Sequence, residues 1–82
     1  MSNYPTSSWK KPTGKERRYV VTYEEDTPGG VILTFGVKAS LASEATGKVI
    51  EFIRIHNLHQ SEHSYILYPK VSNETTNYYV NF

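Results

Sequence analysis

All three histidines of the chain lie within eight residues, in the stretch "HNLHQSEH". His56, His59 and His63 follow one another at spacings of three and four residues, and Glu62 stands beside the last. Neutral imidazoles one helical turn apart can converge on Zn²⁺. Histidines near a helix C-terminus are stabilised when protonated, so the same cluster could sense pH between about 5 and 7. The spacing therefore suggests either a metal site or a pH switch.

The residues around the histidines favour neither chemistry. Structural zinc sites usually combine four ligands, often cysteines, and this chain contains no cysteine. The spacing also lacks the H-E-x-x-H order that puts a general base beside a zinc ion. We interpret the stretch as the polar end of a helix and its connection to a strand, with His56 partly buried. We predict no metal and no cofactor.

No set of residues has the pattern of a catalytic site. Ser61, Glu62, His63 and Ser64 are sequence neighbours, and neighbours on a strand point to opposite faces of its sheet. The acidic residues 24–26 fall at a predicted hairpin tip, where charge is usually solvated. The stretch "TGKE" lacks the preceding strand and the glycine spacing of a phosphate-binding loop. The sequence therefore predicts a protein that is not an enzyme.

The length and composition indicate one small domain. A chain of 82 residues buries only about 60% of the surface that its unfolded form exposes, so the core should be thin. Seven tyrosines and three phenylalanines favour packing rich in β-strands. No apolar run approaches the roughly 20 residues that span a bilayer, and the N-terminus lacks the apolar stretch of a signal peptide. We expect a cytoplasmic protein without membrane contact.

The charge is unevenly divided along the chain. Residues 1–18 have a balance of +4 and the rest a balance of −3, which together give the net charge of +1. We predict that residues 1–17 form a disordered basic arm, in which Trp9 either docks on the domain or anchors a partner. Such an arm can contact nucleic acid or merely aid solubility. The basic residues predicted to contact phosphates are four in the arm and Arg18, the first residue of the domain. The four in the arm are Lys10, Lys11, Lys15 and Arg17.

The predicted first half of the domain is a hairpin followed by a helix. Residues 18–24 ("RYVVTYE") and 31–38 ("VILTFGVK") alternate as strands do, and the glycines of "EDTPGG" suit the turn between them. Residues 40–58 then change to helical spacing. Ser40 is the predicted N-cap and Asn57 the predicted left-handed terminator. The predicted inner face of the helix comprises Leu41, Ala45, Val49, Phe52, Ile53 and His56.

Two further strands complete the predicted fold. "SYILYP" reads as a third strand that Pro69 ends, and "TNYYVNF" reads as a fourth. The prediction is an α+β domain over residues 18–82, of ββαββ order, with one helix on one face of a four-stranded mixed sheet. The third strand either runs parallel to the second in the same sheet, or runs parallel to the first and beside it.

The order of elements resembles that of known small proteins. With "VKASLASEA" leading from a strand into a helix, residues 18–69 are similar in layout to small accessory proteins of phages and mobile elements. They are also similar to ubiquitin-like β-grasp modules. The resemblance rests on element order and involves no diagnostic motif. It implies a binding module, of the accessory kind that modulates a host protein, and it identifies no functional residue.

The predicted function follows from the sheet face that one helix leaves uncovered. We expect tyrosines on that face, and we predict a monomeric or dimeric module that binds a protein there or at a strand edge. The alternative partner is nucleic acid, with the five basic residues on phosphates and sheet tyrosines stacked on bases. The predicted protein-binding residues are Trp9, Tyr19, Tyr23, Tyr65 and Tyr79.

Overall fold

The predicted α+β class and its ββαββ order are confirmed. A computed structural model describes residues 15–82, so Trp9, Lys10, Lys11 and most of the predicted arm lie outside the described residues. No helix within residues 15–82 is long and apolar enough to cross a membrane. The elements are β1 (Arg17–Glu25), β2 (Ile32–Ala39), α1 (Ala42–Ile55), β3 (Tyr65–Val71) and β4 (Tyr78–Val80).

The four strands form one mixed sheet in the order β3-β1-β2-β4. β1 is antiparallel to both of its neighbours, β2 and β3, whereas β4 is parallel to β2. β3 therefore runs in the same direction as β2, as one of the two predicted arrangements requires, with β1 between them. The β-grasp alternative, in which the third strand runs parallel to the first beside it, is wrong.

The turn between β1 and β2 has the chemistry that its sequence predicts. The Gly30 N–H donates to the Thr27 carbonyl oxygen (3.0 Å), and Gly29 has a φ of 72°. Pro28 and a glycine of positive φ are the central residues of a type II turn. The Glu25 N–H closes the hairpin on the carbonyl oxygen of Val31 (3.1 Å). Val31 was predicted as the first residue of the second strand, but it lies before β2 and is exposed.

The two ends of α1 are built differently. The N-cap is Leu41, one residue after the predicted Ser40, and the Glu44 carboxylate accepts from the Ser40 backbone N–H (3.0 Å). At the other end Asn57 has a φ of 54°, which confirms it as the left-handed terminator. The Leu58 N–H bonds to the Ile53 carbonyl oxygen (3.0 Å), as in a Schellman motif.

One face of α1 packs on the sheet. Ala45, Val49 and Ile53 are its buried residues, with Phe52 packed beside them. Leu41 and His56 were predicted on this face but are exposed, and they are the two cap residues that flank the helix. The buried core cluster consists of Tyr19, Val21, Tyr23, Phe35, Val37, Ala39, Ala45, Val49, Ile53 and Val80.

Ala39 belongs to the same core as those residues and is fully buried at the end of β2. Its partner across the hairpin is Arg17, the first residue of β1, which lies one position before the predicted start of the domain. The buried core therefore extends along β2 to Ala39, the residue opposite the start of β1.

The tyrosines of β1 lie beneath the helix, which corrects the prediction that they lie on the uncovered face. Tyr19 is 7% exposed and Tyr23 is 1% exposed, and both belong to the core cluster. Tyr65 of β3 is half-buried on the same side, with its ring 4.8 Å from that of Tyr23. Burying these large rings against α1 removes more apolar surface from water than burying their smaller neighbours would. Tyr79 points to the other face and is 50% exposed.

The two edge strands differ from their predicted lengths. β3 continues through Pro69 to Val71, whereas Pro69 was predicted to end it. Proline is tolerated in an edge strand when the position of its missing N–H faces away from the neighbouring strand. β4 has only three residues and pairs with β2 alone, so the predicted seven-residue strand is too long.

Residues 72–77, the crossing segment, connect the two opposite edges of the sheet. The Arg18 guanidinium donates to the carbonyl oxygens of Ser72 (3.3 Å) and Glu74 (2.9 Å). The Asn77 side chain accepts from the Thr34 N–H (2.9 Å), and a Cβ on Gly36 would lie 3.0 Å from the Thr76 hydroxyl oxygen. The crossing segment therefore passes over the face opposite α1, and among residues 15–82 it leaves only the half near the hairpin turn uncovered.

Candidate functional site

The three histidines do not come together. His56 packs its ring against Phe52 (4.3 Å between centroids), while His59 packs against Tyr65 (4.7 Å). The His59 ring also hydrogen-bonds through Nε2 to the His63 backbone carbonyl oxygen. Within residues 15–82, no three His, Asp or Glu side chains form a group that could hold a metal ion. The contacts of this stretch fix the end of α1 and its connection to β3.

The other predicted site residues are dispersed. Tyr23 and Tyr65 contact each other on the helix side, and Tyr79 lies on the opposite face near the other edge of the sheet. Among the basic residues predicted to contact phosphates, Arg18 is engaged by the crossing segment, while Lys15 and Arg17 are exposed. The predicted residues that the structure describes therefore do not form one surface.

A different set of apolar side chains is exposed together near the hairpin turn. Ile66 and Tyr68 of β3 are 45% and 49% exposed, and both point to the face opposite α1. Ile66 pairs with Glu24, which in turn pairs with the exposed Ile32 of β2. The alternation of "YILY" already places Ile66 and Tyr68 on one face. The sequence alone did not show which face the helix would cover.

The outer edge of β3 carries unpaired backbone groups. The Ser72 N–H donates to the Arg18 carbonyl oxygen (3.1 Å) and the Asp26 N–H to that of Ser64 (2.8 Å). In an antiparallel ladder such pairs recur at every second residue, so the even-numbered residues of β3 bond to β1. The odd-numbered residues direct their N–H and C=O groups outward. No strand within residues 15–82 pairs with this edge.

Pro69 divides this outer edge into two parts. It is one of the outward-directed residues and has no N–H to donate. The part before it, at residues 65–67, offers both donors and acceptors and lies near the hairpin turn. The part after it lies near Lys70 and the crossing segment. We call residues 65–67 the free edge.

A concavity flanks the free edge on each side of the sheet. The first, the helix-side groove, has a volume of about 260 Å³ between α1 and β3. The second, the acidic depression, has a volume of about 300 Å³ and is lined by residues 24–28 with Ile66 and Tyr68. The residues that line the helix-side groove are Ile50, Ile53, Arg54, Asn57, His59 and Tyr65.

The acidic depression carries negative charge without a basic partner among the described residues. The ion pairs within residues 15–82 are Lys48–Glu44, Arg54–Glu51 and Lys70–Glu74, all of them elsewhere. Glu24 and Asp26 are exposed. Glu25 is instead held by its neighbours, since it accepts from the Tyr23 hydroxyl (3.0 Å) and from the Val31 N–H (3.4 Å).

The contacts of Tyr23 predict a late tyrosine titration. Burial, followed by the hydrogen bond to Glu25, raises the pKa of Tyr23 from 10.0 to about 12. The folded protein holds this proton more tightly than the unfolded chain does, so the contribution to stability is complete below pH 10. It should be lost as the pH rises from 10 through 12. Phenolate absorbance should show a late step that Tyr23→Phe removes, and formation of this phenolate near pH 10 would contradict the prediction.

Comparisons with known proteins give no relative from which a function could be transferred. No family model matches the chain, and neither a curated protein nor a solved structure is significantly similar to it. Its function is therefore inferred from the surface around the free edge.

Proposed function

We propose that this protein is a non-enzymatic binding module that takes up an extended segment of a partner protein at the free edge of β3. One observation carries the proposal: outward-directed backbone groups at Tyr65 and Leu67 lie between the helix-side groove and the acidic depression. Main-chain hydrogen bonds supply affinity in strand addition, and pockets for alternate side chains supply specificity. This edge provides both.

The two parts of the β3 edge differ in their protection against pairing. Natural proteins block exposed edges with proline, lysine or a covering loop. Pro69 and Lys70 lie in the part beyond residues 65–67, and the crossing segment begins at residue 72. The free edge has neither proline nor lysine. The unprotected part is thus also the part flanked by the two concavities, which supports its use as a binding site.

The nucleic-acid alternative has less support from the described residues. It requires accessible cations and exposed rings for base stacking. Arg18 is bonded to two carbonyl oxygens of the crossing segment, and Tyr19 and Tyr23 are buried. The uncovered half of the sheet also carries Glu24 and Asp26, which would repel phosphates.

Site-specific cross-linking in an extract of the source cells tests the proposal. A benzophenone side chain replaces Tyr68 beside the free edge or, as a control, Gly47 on α1, where an added Cβ meets nothing within 4 Å. Only position 68 should give a discrete protein adduct, which unlabelled chain should compete away. Chemical synthesis then adds one backbone N-methyl group to the labelled chain, either at Leu67 or at Val71.

The N-methyl groups separate strand addition from other contacts. Both replace an outward-directed N–H, so neither breaks the ladder with β1. We expect the Leu67 group to abolish the adduct and the Val71 group to leave it. An adduct that survives methylation of Leu67, or one that nuclease removes, would contradict the proposed function.

A further inference from the structure

We propose that the segment bound at the free edge alternates apolar and basic side chains, with the apolar ones in the helix-side groove and the basic ones over the acidic depression. This inference rests on the proposed function and specifies the chemistry of its partner. It follows from three properties of the site: the length of the free edge, the lining of the helix-side groove and the charge of the acidic depression.

The length of the free edge limits the added strand to a short segment. Tyr65 and Leu67 each offer an outward N–H and C=O, whereas Pro69 offers only a C=O. Pairing therefore ends at Pro69, and the added strand is centred beside Ile66. That register places the strand directly between the two concavities.

The helix-side groove suits an apolar side chain. Successive residues of a strand point to opposite faces of the sheet, so every second side chain of the added strand faces α1. There it meets Ile50, Ile53 and the Tyr65 ring. Ile50 is exposed in the protein alone, so contact with a partner would remove apolar surface from water.

The acidic depression suits a basic side chain. The remaining side chains of the added strand lie on the face opposite α1, two strand spacings from Glu24, which is about 10 Å. The apolar stem of a lysine or arginine can cover part of that span along Ile66 and Tyr68, and the Glu24 side chain can extend over the rest to meet the cation. Glu24 and Asp26 are exposed, with no ion pair among the described residues. Residues 19–82 carry a net charge of −3.

The same charges disfavour a second copy of this chain as the occupant. Pairing two β3 edges in an antiparallel manner would place the acidic depression of one copy on the same sheet as that of the other. In that pairing, centred on Ile66, the cation that β3 of the other copy carries on this face is Lys70, and it already pairs with Glu74 (3.5 Å). A basic partner segment satisfies the charge that self-association leaves uncompensated.

Titration with three synthetic peptides, followed through the backbone amide resonances, tests the inference. The first alternates valine with arginine over eight residues, and the second alternates valine with glutamate. The third has the composition of the first in two blocks. The first should shift the amides of Tyr65, Ile66 and Leu67 and bind about tenfold more tightly than the second, because each of two exposed ion pairs contributes about threefold. The block peptide should bind as weakly as the second.

Two variants assign the charge preference to the acidic depression. Glu24→Lys with Asp26→Lys should reverse the preference between the first two peptides. Glu51→Lys with Glu74→Lys makes the same change in net charge at exposed positions elsewhere, and it should leave the preference for arginine in place. Backbone N-methylation of Leu67 should remove binding of the first peptide.

The outcomes distinguish this inference from the proposed function. Equal binding of the arginine and glutamate peptides, or binding that N-methylation of Leu67 leaves unchanged, would overturn the alternating basic segment. If position 68 still gives an adduct in cell extract that depends on the Leu67 N–H, the proposed function stands and only the alternating basic segment is wrong. If no such adduct forms, both the proposed function and this inference are wrong. A dimer in sedimentation equilibrium that N-methylation of Leu67 dissociates, without binding of the first peptide, would make a second copy the occupant.

Discussion

Phe35→Ala is expected to lower the free energy of unfolding by about 3–5 kcal/mol. Phe35 is fully buried, and its ring stacks on Tyr78 at 5.2 Å between centroids. It also meets Phe52 edge-on at 5.9 Å and Tyr23 at 6.5 Å. One side chain thus joins β1, β2, β4 and α1. In a domain of this size, each kcal/mol lowers the melting temperature by about 4–8 °C, so the midpoint should fall by at least about 12 °C.

Two further variants control this prediction. Phe82→Ala makes the same chemical change at an exposed position after β4, where we expect a loss below about 0.5 kcal/mol. Phe35→Leu retains most of the buried apolar volume and should fall between the two. Urea unfolding measures all three. A loss below about 1 kcal/mol for Phe35→Ala would show that the core does not depend on this aromatic cluster.

The elements that could be predicted are those whose causes are local in sequence. Pro28 and Gly29 set the turn by their own backbone preferences, and Asn57 ends α1 by adopting a positive φ. The alternation of β1 and β2 gave their positions to within one residue. Such features depend on residues a few positions apart, so the sequence displays them directly.

The face of the sheet on which the β1 tyrosines lie could also be predicted from the sequence, because the register of the hairpin determines it. Tyr19 pairs with Val37 and Tyr23 with Leu33, and paired residues share a face of the sheet. The apolar face of β2 must turn towards α1, so the tyrosines opposite it turn there as well. The prediction placed them on the uncovered face because it considered the space beneath the helix and not this pairing.

The free edge could not be predicted, because it depends on the order of strands in the sheet. Four strands in the order β3-β1-β2-β4 place β3 and β4 three spacings apart, about 14 Å. The six residues of the crossing segment can span about 20 Å, and they do so across one face. Nothing in "SNETTN" signals that path, and the same path determines which half of the sheet stays uncovered.

Arg18→Met is expected to release the crossing segment. The guanidinium donates to two carbonyl oxygens of that segment, and hydrogen bonds that involve a charged group contribute about 1.5–3 kcal/mol each. Since one of the two bonds is exposed, we expect a total loss of about 2 kcal/mol. Methionine keeps the length of the side chain over the sheet but supplies no donor.

The release should be local and visible in amide hydrogen exchange. β4 pairs with the sheet through only three residues and follows directly after the crossing segment. A loss of about 2 kcal/mol corresponds to roughly 30-fold faster exchange for amides that open with this unit. We expect that acceleration at Tyr78 and Val80, whose N–H groups face β2, while the amides of β1 and β2 that bond to each other keep their protection.

A control variant and a second, independent variant test the contact between Arg18 and the crossing segment. Arg17→Met alters the neighbouring exposed arginine and should leave exchange in β4 unchanged. Gly36→Ala adds a Cβ 2.5 Å from the Arg18 Nη2 atom and 3.0 Å from the Thr76 hydroxyl oxygen, so it should displace the guanidinium and accelerate the same amides. Both variants act on one contact. The double variant Arg18→Met/Gly36→Ala should therefore lose less free energy of unfolding than the sum of the losses in the two single variants. Additive losses would mean that Arg18 does not hold the crossing segment over Gly36.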